Sequence, residues 1–390
     1  MNKICFLMGS LNNKGGLERV VSVLANELST NGYKVTIILA NSIKNTYEIS
    51  YDLNNDIEVI HTNKLYRRPY DFLLERILLK SFLKFKINLN GNIISMLLFP
   101  ILERKRYRNF FNHRKFDVII GVTPFYSRIL TFLNLNLKRI GWFHNTYERY
   151  FELEDSPLYK TEKAFINYLN DLDDLVVLSD RDKKIYSSKL NVLPKRIYNP
   201  LTIKSKRPNS ISIDNRVNIL FVGRIYYQTK GLELLFDIIK KVVKEIPNVC
   251  FNIVGDGPDK NRLLKDINTN KLSDVIVFHG SSNDVSKFYL TNDIFVLPSL
   301  IEGFGLVVTE AMSFGLPVIS FKTHGPSEII TEGYSGYLID KYDTDEFSKK
   351  IINLIRNPEL RKNIGKRAYE RSQNFSKKII ISEWIDLIEN

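Results

Sequence analysis

Short apolar runs recur along this chain, and most are followed by a stretch of helical periodicity. In the first half the runs are Lys3–Leu11, Lys34–Ala40, Ile57–Thr62, Phe116–Gly121, Arg139–Phe143 and Leu175–Leu178. In the second they are Val217–Val222, Cys250–Val254, Val275–Phe278, Ile294–Leu297, Pro317–Ser320 and Gly336–Ile339. A short run without polar alternation reads as a strand buried on both faces. Between the runs, Leu17, Val20, Val21, Leu24 and Leu28 fall on one side of a helix, and Leu232–Ile246 is again helical. Strand–helix alternation in both halves predicts an α/β chain with two doubly wound parallel sheets. A length of 390 residues is enough for two domains, each with its own core. The expected division is 1–200 for the first domain, 201–216 for a linker, 217–372 for the second and 373–390 for a terminal helix. The linker follows from the polar tract Lys204–Asn215, which contains Pro208.

Glycines mark the turns where these units can meet a ligand. Lys3–Leu11 leads through Asn12-Asn13-Lys14-Gly15-Gly16 into the first helix, without the three-glycine spacing of a dinucleotide fingerprint. Val217–Val222 leads into Gly223-Arg224 and then Lys230-Gly231, a cation at a strand end and a lysine entering a helix. Such a pair suits a diphosphate, Arg through bidentate hydrogen bonds and Lys through a compact charge. Ile294–Leu297 leads into Glu302-Gly303-Phe304-Gly305, and the helix from Leu306 ends before Gly315. Glycines at a helix mouth let a ligand reach unpaired N–H groups. Glu302 and Glu310 frame that mouth with seven residues between them, and carboxylates accept well from paired hydroxyls. A ligand carrying both hydroxyls and phosphate fits this set.

The stretch EGFGLVVTEAMSFGLPVI, with Pro298-Ser299 before it, resembles the signature of the retaining glycosyltransferases of family four. FVGR followed by KG resembles the same family. The resemblance implies the GT-B architecture, two Rossmann-like domains facing across a cleft, with the last helix crossing back onto the first domain. It implies an enzyme that moves a sugar from a nucleotide-sugar, a UDP-sugar being favoured, to an acceptor hydroxyl with retention. Arg224 and Lys230 would neutralise the departing diphosphate, so no metal or other cofactor is expected. Glu310 would hold the ribose hydroxyls. Glu302 and the backbone of Gly303, Phe304, Gly305 and Leu306 would hold the donor sugar and distal phosphate. Gly15 and Gly16 would approach the diphosphate, and Gly255 and Gly280 would line the base. His144, at the end of Arg139–Phe143, would sit beside the reacting sugar; Asn145 stands where some members carry Asp.

Charge bears on partners. Of the net +13, the segment from Lys64 to Lys115 carries +10, with 13 Lys or Arg against Asp71, Glu75 and Glu103. Within it Arg76, Lys80 and Lys84 share one helical face, and Leu74, Leu78, Phe82 and Phe85 fall roughly opposite. That pattern predicts contact with an anionic membrane surface, the alternative being a helix packed on its own domain with solvated cations. No arrangement of stacking aromatics points to nucleic acid. Cys5 and Cys250 read as buried thiols in a reducing compartment, and the apolar tract Ile93–Leu102 is too short to span a bilayer. The expected location is cytoplasmic, peripheral on the membrane. Asp171-Leu172-Asp173 has metal-pair spacing but sits at a helix end, so it is read as solvated acids. The abundance of Asn, Lys and Ile suggests an AT-rich microbial source, for which capsule or lipopolysaccharide assembly on a lipid-linked or surface glycan is a natural setting. A non-catalytic donor-binding partner and a nucleotide-sugar epimerase stay open as alternatives.

Overall fold

The computed structural model describes residues 2–13, 15–40, 49–62, 64–65, 101–133, 135–154, 156, 158–159, 161–203 and 216–390. The basic helix expected around Arg76, Lys80 and Lys84, most of the tract Ile93–Leu102 and the polar tract Lys204–Asn215 lie outside these residues. The chain forms two compact units, one of residues 1–200 with 380–390 and one of residues 201–379.

The first unit is a seven-stranded sheet built from β1 (Lys3–Met8), β2 (Lys34–Leu39), β3 (Glu58–His61), β4 (Val118–Val122), β5 (Lys138–Trp142), β6 (Asp174–Val177) and β7 (Lys195–Arg196). Its order is β3-β2-β1-β4-β5-β6-β7, and every pairing is parallel. Parallel strands need crossovers, supplied here by α1 (Gly16–Thr30), α2 (Ile101–Asn112), α3 (Pro124–Leu130), α4 (Tyr147–Phe151), α5 (Glu162–Leu169) and α6 (Asp180–Ser187). β1 is exposed only at Lys3, as a strand covered on both faces must be. Ser179 starts α6 by accepting from the Asp182 N–H, and its own hydroxyl donates to the Asp182 carboxylate.

The second unit repeats the plan with six strands, β8 (Val217–Val222), β9 (Val249–Val254), β10 (Ile276–Gly280), β11 (Ile294–Leu297), β12 (Val318–Phe321) and β13 (Gly336–Ile339), ordered β10-β9-β8-β11-β12-β13 and parallel throughout. Its helices are α7 (Tyr227–Lys230), α8 (Leu232–Glu245), α9 (Lys260–Thr269), α10 (Ser286–Thr291), α11 (Leu306–Ser313), α12 (His324–Ile329), α13 (Thr344–Arg356) and α14 (Pro358–Ser372), followed by a 3-10 turn at Gln373–Phe375. In both sheets the winding direction reverses once, at β1/β4 and at β8/β11. Beyond the carboxyl ends of the strands on either side of such a reversal, two loops diverge and leave a crevice.

The last helix, α15 (Lys377–Glu389), supplies its residues from Ile380 onward to the first unit. Trp384 is fully buried and meets Trp142 of β5 edge-on at 4.8 Å between ring centroids. Lys138 Nζ donates to the Leu387 carbonyl at 2.6 Å and the Tyr33 hydroxyl to Glu389 at 2.5 Å. Cys5 and Cys250 are free thiols, and both are buried. Among the described residues no helix is long and apolar enough to cross a membrane.

Removing a buried Trp costs about 3–5 kcal/mol. In Trp384→Ala that loss should fall on the first unit. Hydrogen exchange should show faster opening of the β4 and β5 amides, with β8 and β9 protected as before; equal loss in both sheets would contradict the assignment.

Candidate active site

The second unit gathers its chemistry where β8 and β11 end. Arg224 follows β8, is exposed, and has no ion-pair partner for its guanidinium among the described residues. Six residues on, Lys230 closes the short α7, and Gly231 turns the chain into α8 with φ +61°. Only glycine fits there: a methyl group would lie 1.9 Å from the Pro298 carbonyl oxygen, and the left-handed conformation adds strain. Close packing of α8 on the strand β11 exit therefore holds Lys230 beside the loop that carries Glu302. The Lys230 ammonium and Glu302 carboxylate form an ion pair, with side chains 18% and 11% exposed. That exposure leaves the pair within reach of a ligand.

The loop after Glu302 turns through Gly303, Phe304 and Gly305 into α11, with Gly305 at its N-cap at φ +91°. The Phe304 ring is buried against Phe375 at 5.8 Å, so a ligand meets this residue only through its backbone. Leu306 is the first residue of α11, where N–H groups have no intrahelical acceptor. Glu310 lies one turn in and is 1% exposed. Its Oε1 accepts from the Thr202 hydroxyl at 2.6 Å and its Oε2 from the Tyr289 hydroxyl at 3.0 Å.

At the other side of β8, the Gly255 N–H donates to the Gly280 carbonyl at 2.8 Å. Gly255 can offer a base its carbonyl, since its N–H is spent inside the sheet. A methyl group on Gly255 would lie 1.8 Å from the Gly223 oxygen, so glycine is required for the two loops to touch.

In the first unit, Gly15 is the N-cap of α1 and Gly16 its first residue, directly after β1 at the reversal point. The mouth of this helix holds an internal acid that the sequence reading passed over. Glu18 Oε2 lies 2.5 Å from where a methyl group on Gly15 would sit, and Asn13 Nδ2 donates to Oε1 at 3.2 Å. Burial raises the pKa of this carboxyl. A phosphate approaching Gly15 and Gly16 would have to displace Glu18 or meet it protonated. A glutamate three residues after an N-cap is a recognisable self-capping position, so the signal was present.

His144 follows β5, two residues beyond the buried Trp142, whose ring it meets at 4.2 Å. The imidazole is 9% exposed and its Nε2 has no hydrogen-bond partner among the described residues. Burial pulls its pKa down to about 3, so the ring is neutral near pH 7. The turn is clamped by Tyr150, whose hydroxyl accepts from the His144 and Asn145 N–H groups at 3.2 Å each. Tyr150 was not among the sequence candidates because nothing in its spacing marks it. Asp173 lies at the opposite, amino end of β5. It accepts from the Arg139 N–H at 2.7 Å and from the Arg139 guanidinium at 3.1 and 3.3 Å. The Asp171–Asp173 pair is thus not simply solvated, because Asp173 is committed to Arg139.

Because the folded pKa of His144 lies below the ordinary 6.5, the unfolded chain binds the extra proton. The stability that this neutral ring contributes is complete above pH 6.5 and is lost as pH falls toward about 3. His144→Gln should remove that part of the acid-side decline in Tm; an unchanged slope would show that the ring titrates normally.

The chain matches the profile of "Glycosyltransferase Family 4" over residues 14–201 and that of "Glycosyl transferases group 1" over residues 203–371. It is 28% identical over its whole length, and the whole of the relative's, to an amylovoran biosynthesis glycosyltransferase of Erwinia amylovora. In structure it resembles TarM of S. aureus, with a TM-score of 0.79 and 18% identity over 100% of this chain and 99% of TarM. It also resembles Anabaena HepE, solved in complex with UDP, with a TM-score of 0.72 and 16% identity over 99% of each chain. The two profiles leave only Thr202 between them, and the sheet orders above are those of two Rossmann-like units: the chain belongs to the family 4 glycosyltransferases of GT-B type.

Proposed function

We propose that the protein transfers a sugar from a nucleotide-sugar, a UDP-sugar being favoured, to a hydroxyl of a lipid-linked or surface-polysaccharide glycan, with retention and without a metal. The observation that carries this reading is the grouping of Arg224, Lys230, Glu302 and the glycine-led N-terminus of α11 at one sheet reversal. The amylovoran role of the Erwinia relative and the UDP held by Anabaena HepE support the acceptor class and the donor base.

Arg224, exposed and without a counter-ion among the described residues, would take the diphosphate by paired hydrogen bonds. Lys230 would exchange Glu302 for phosphate, and the released Glu302 carboxylate would accept from a sugar hydroxyl. The first N–H groups of α11 would face the distal phosphate, and Glu310 the ribose. Together these groups stabilise the charge that grows on the leaving diphosphate, the task a metal performs elsewhere. Among the described residues at this reversal, Glu302 is tied to Lys230 and Glu310 is buried, so neither is assigned as a covalent nucleophile. The bond from the anomeric carbon to phosphate oxygen breaks, the bond to the acceptor oxygen forms on the same face, and the acceptor proton passes to the leaving phosphate. His144 is assigned the contact with the transferring sugar as an uncharged imidazole.

Lys230→Ala and Glu302→Ala should each lower transfer from a UDP-sugar by about 100-fold or more with melting temperature retained. Excess chelator should leave wild-type turnover unchanged. Full turnover by either variant, or loss on chelation, would overturn the assignment. Without acceptor, slow release of diphosphate fits a transferase, whereas an altered sugar would favour epimerisation.

We further propose a peripheral place on the cytoplasmic face of the membrane, supported by the +10 of residues 64–115. Part of that charge is spent within the protein. Arg104 stacks on Phe132 at 4.2 Å, Arg108 donates to the Phe132 carbonyl at 3.4 Å, and Arg114 covers Phe110 at 3.8 Å. The protein should therefore co-sediment with anionic vesicles only moderately, lose this at high salt, and ignore neutral vesicles. Equal binding to both would exclude charge as the cause.

A further inference from the structure

Lys230 reaches the site on a helix of one turn. Two bonds close α7, from the Lys230 N–H to the Tyr226 carbonyl at 3.0 Å and from the Gly231 N–H to the Tyr227 carbonyl at 3.3 Å. So short a helix is marginal by itself, because the first turn fixes several residues for each bond gained. Its direction is set from outside. At its end the Leu300 N–H donates to the Thr229 carbonyl at 2.9 Å. At its start the Tyr227 N–H, which has no acceptor within the turn, donates to Asp259 Oδ2 at 2.8 Å.

The turn after β9 places Asp259 for this bond. β8 and β9 pair as far as Val222 and Val254, and the turns beyond them interlock. The Ile225 N–H donates to the Asp256 carbonyl at 2.9 Å, and the Asp259 N–H to the Ile225 carbonyl at 3.2 Å. A methyl group on Gly257 would lie 2.3 Å from that Ile225 oxygen, so glycine lets the two turns touch. Asp259 is the N-cap of α9, yet its side chain makes no capping bond to its own helix. An aspartate there ordinarily accepts from the second or third N–H of the helix it starts. Here the carboxylate is given to α7 instead. α9 also grips the Tyr227 side chain: its hydroxyl donates to Asp266 at 2.5 Å, and the Arg262 guanidinium lies 3.9 Å from its ring centroid. The ring fixes where Tyr227 stands, and the bond to its N–H fixes which way the turn points.

Resting on the reading of Arg224 and Lys230 as diphosphate ligands, we propose that Asp259 is a positioning residue that holds α7 so that these two cations converge on the diphosphate of the donor. It acts through an acceptor atom in a fixed place, not through its charge. A displaced turn would weaken the diphosphate contacts and leave those to the base as they were.

Calorimetry on the full-length protein tests this through the preference for a nucleoside diphosphate over its monophosphate. The probes are UDP and UMP, replaced by the adenine or guanine pair if that base binds more tightly. Wild type should favour the diphosphate, and Lys230→Ala should lower that preference. Asp259→Ala should lower it about tenfold, the effect of one hydrogen bond to a charged group, with monophosphate binding little changed. Asp259→Asn, which keeps an oxygen at the same reach, should restore it. Asp259→Glu, which keeps the charge but moves it by a methylene, should not. Loss in Asp259→Asn with retention in Asp259→Glu would assign the effect to charge and overturn the proposal. If Lys230→Ala lowers the preference while Asp259→Ala keeps it, the positioning role is overturned and the diphosphate reading stands. If Lys230→Ala keeps it, or none of the nucleotides binds, the diphosphate reading fails and the proposal with it. Equal weakening of monophosphate and diphosphate by Asp259→Ala would mark a purely structural role and also overturn it. Should Asp259→Ala fold poorly, Asp259→Asn and Asp259→Glu decide the matter.

Discussion

Parallel strand pairing is the constraint on which everything else in this protein depends. A strand that must pair in parallel with its neighbour cannot be reached by a tight hairpin, so each connection climbs over a face of the sheet, mostly through a helix. Those connections bury both faces, which is why β1, β4 and β11 are apolar almost without interruption. They also send every turn that leaves a strand to the same end of the sheet. Where the winding reverses, at β1/β4 and β8/β11, two such turns diverge, and the glycine turns after β1, β8 and β11 are among them.

A second theme is that the charged groups at these reversals are already satisfied from within. Glu302 has Lys230, Glu310 has two hydroxyls, and the amino end of α1 has Glu18. A buried charge without partners would shift its pKa or destabilise the fold, so internal partners stand in where ligand groups are expected to bind. Binding is then an exchange of partners. Such an exchange costs less than desolvating bare ions and discriminates by geometry. Arg224, exposed and without a counter-ion among the described residues, is the exception, consistent with a group that meets a diphosphate directly.

Surface charge makes the same point from outside the site. The excess over residues 64–115 is plain in the sequence, but counting cations does not show which ones reach solvent. Arg104 and Arg114 lie over aromatic rings, where a guanidinium contributes to packing as well as to potential.

The sequence alone determined the class of fold, because buried strands and amphipathic helices carry different periods that can be read locally. It also marked Arg224, Lys230, Glu302, Glu310 and the glycine turns as candidates, since residue type and spacing are local properties, and all of these stand at carboxyl ends of strands or in the helices that follow. Tertiary structure decided which side chains hold those candidates. Thr202 lies 108 residues from Glu310, and Trp384 packs on Trp142 from the far end of the chain. Long-range hydrogen bonds and ring contacts leave no periodic trace. A hydroxyl or an indole reads the same in any sequence, until folding brings it to the group it serves.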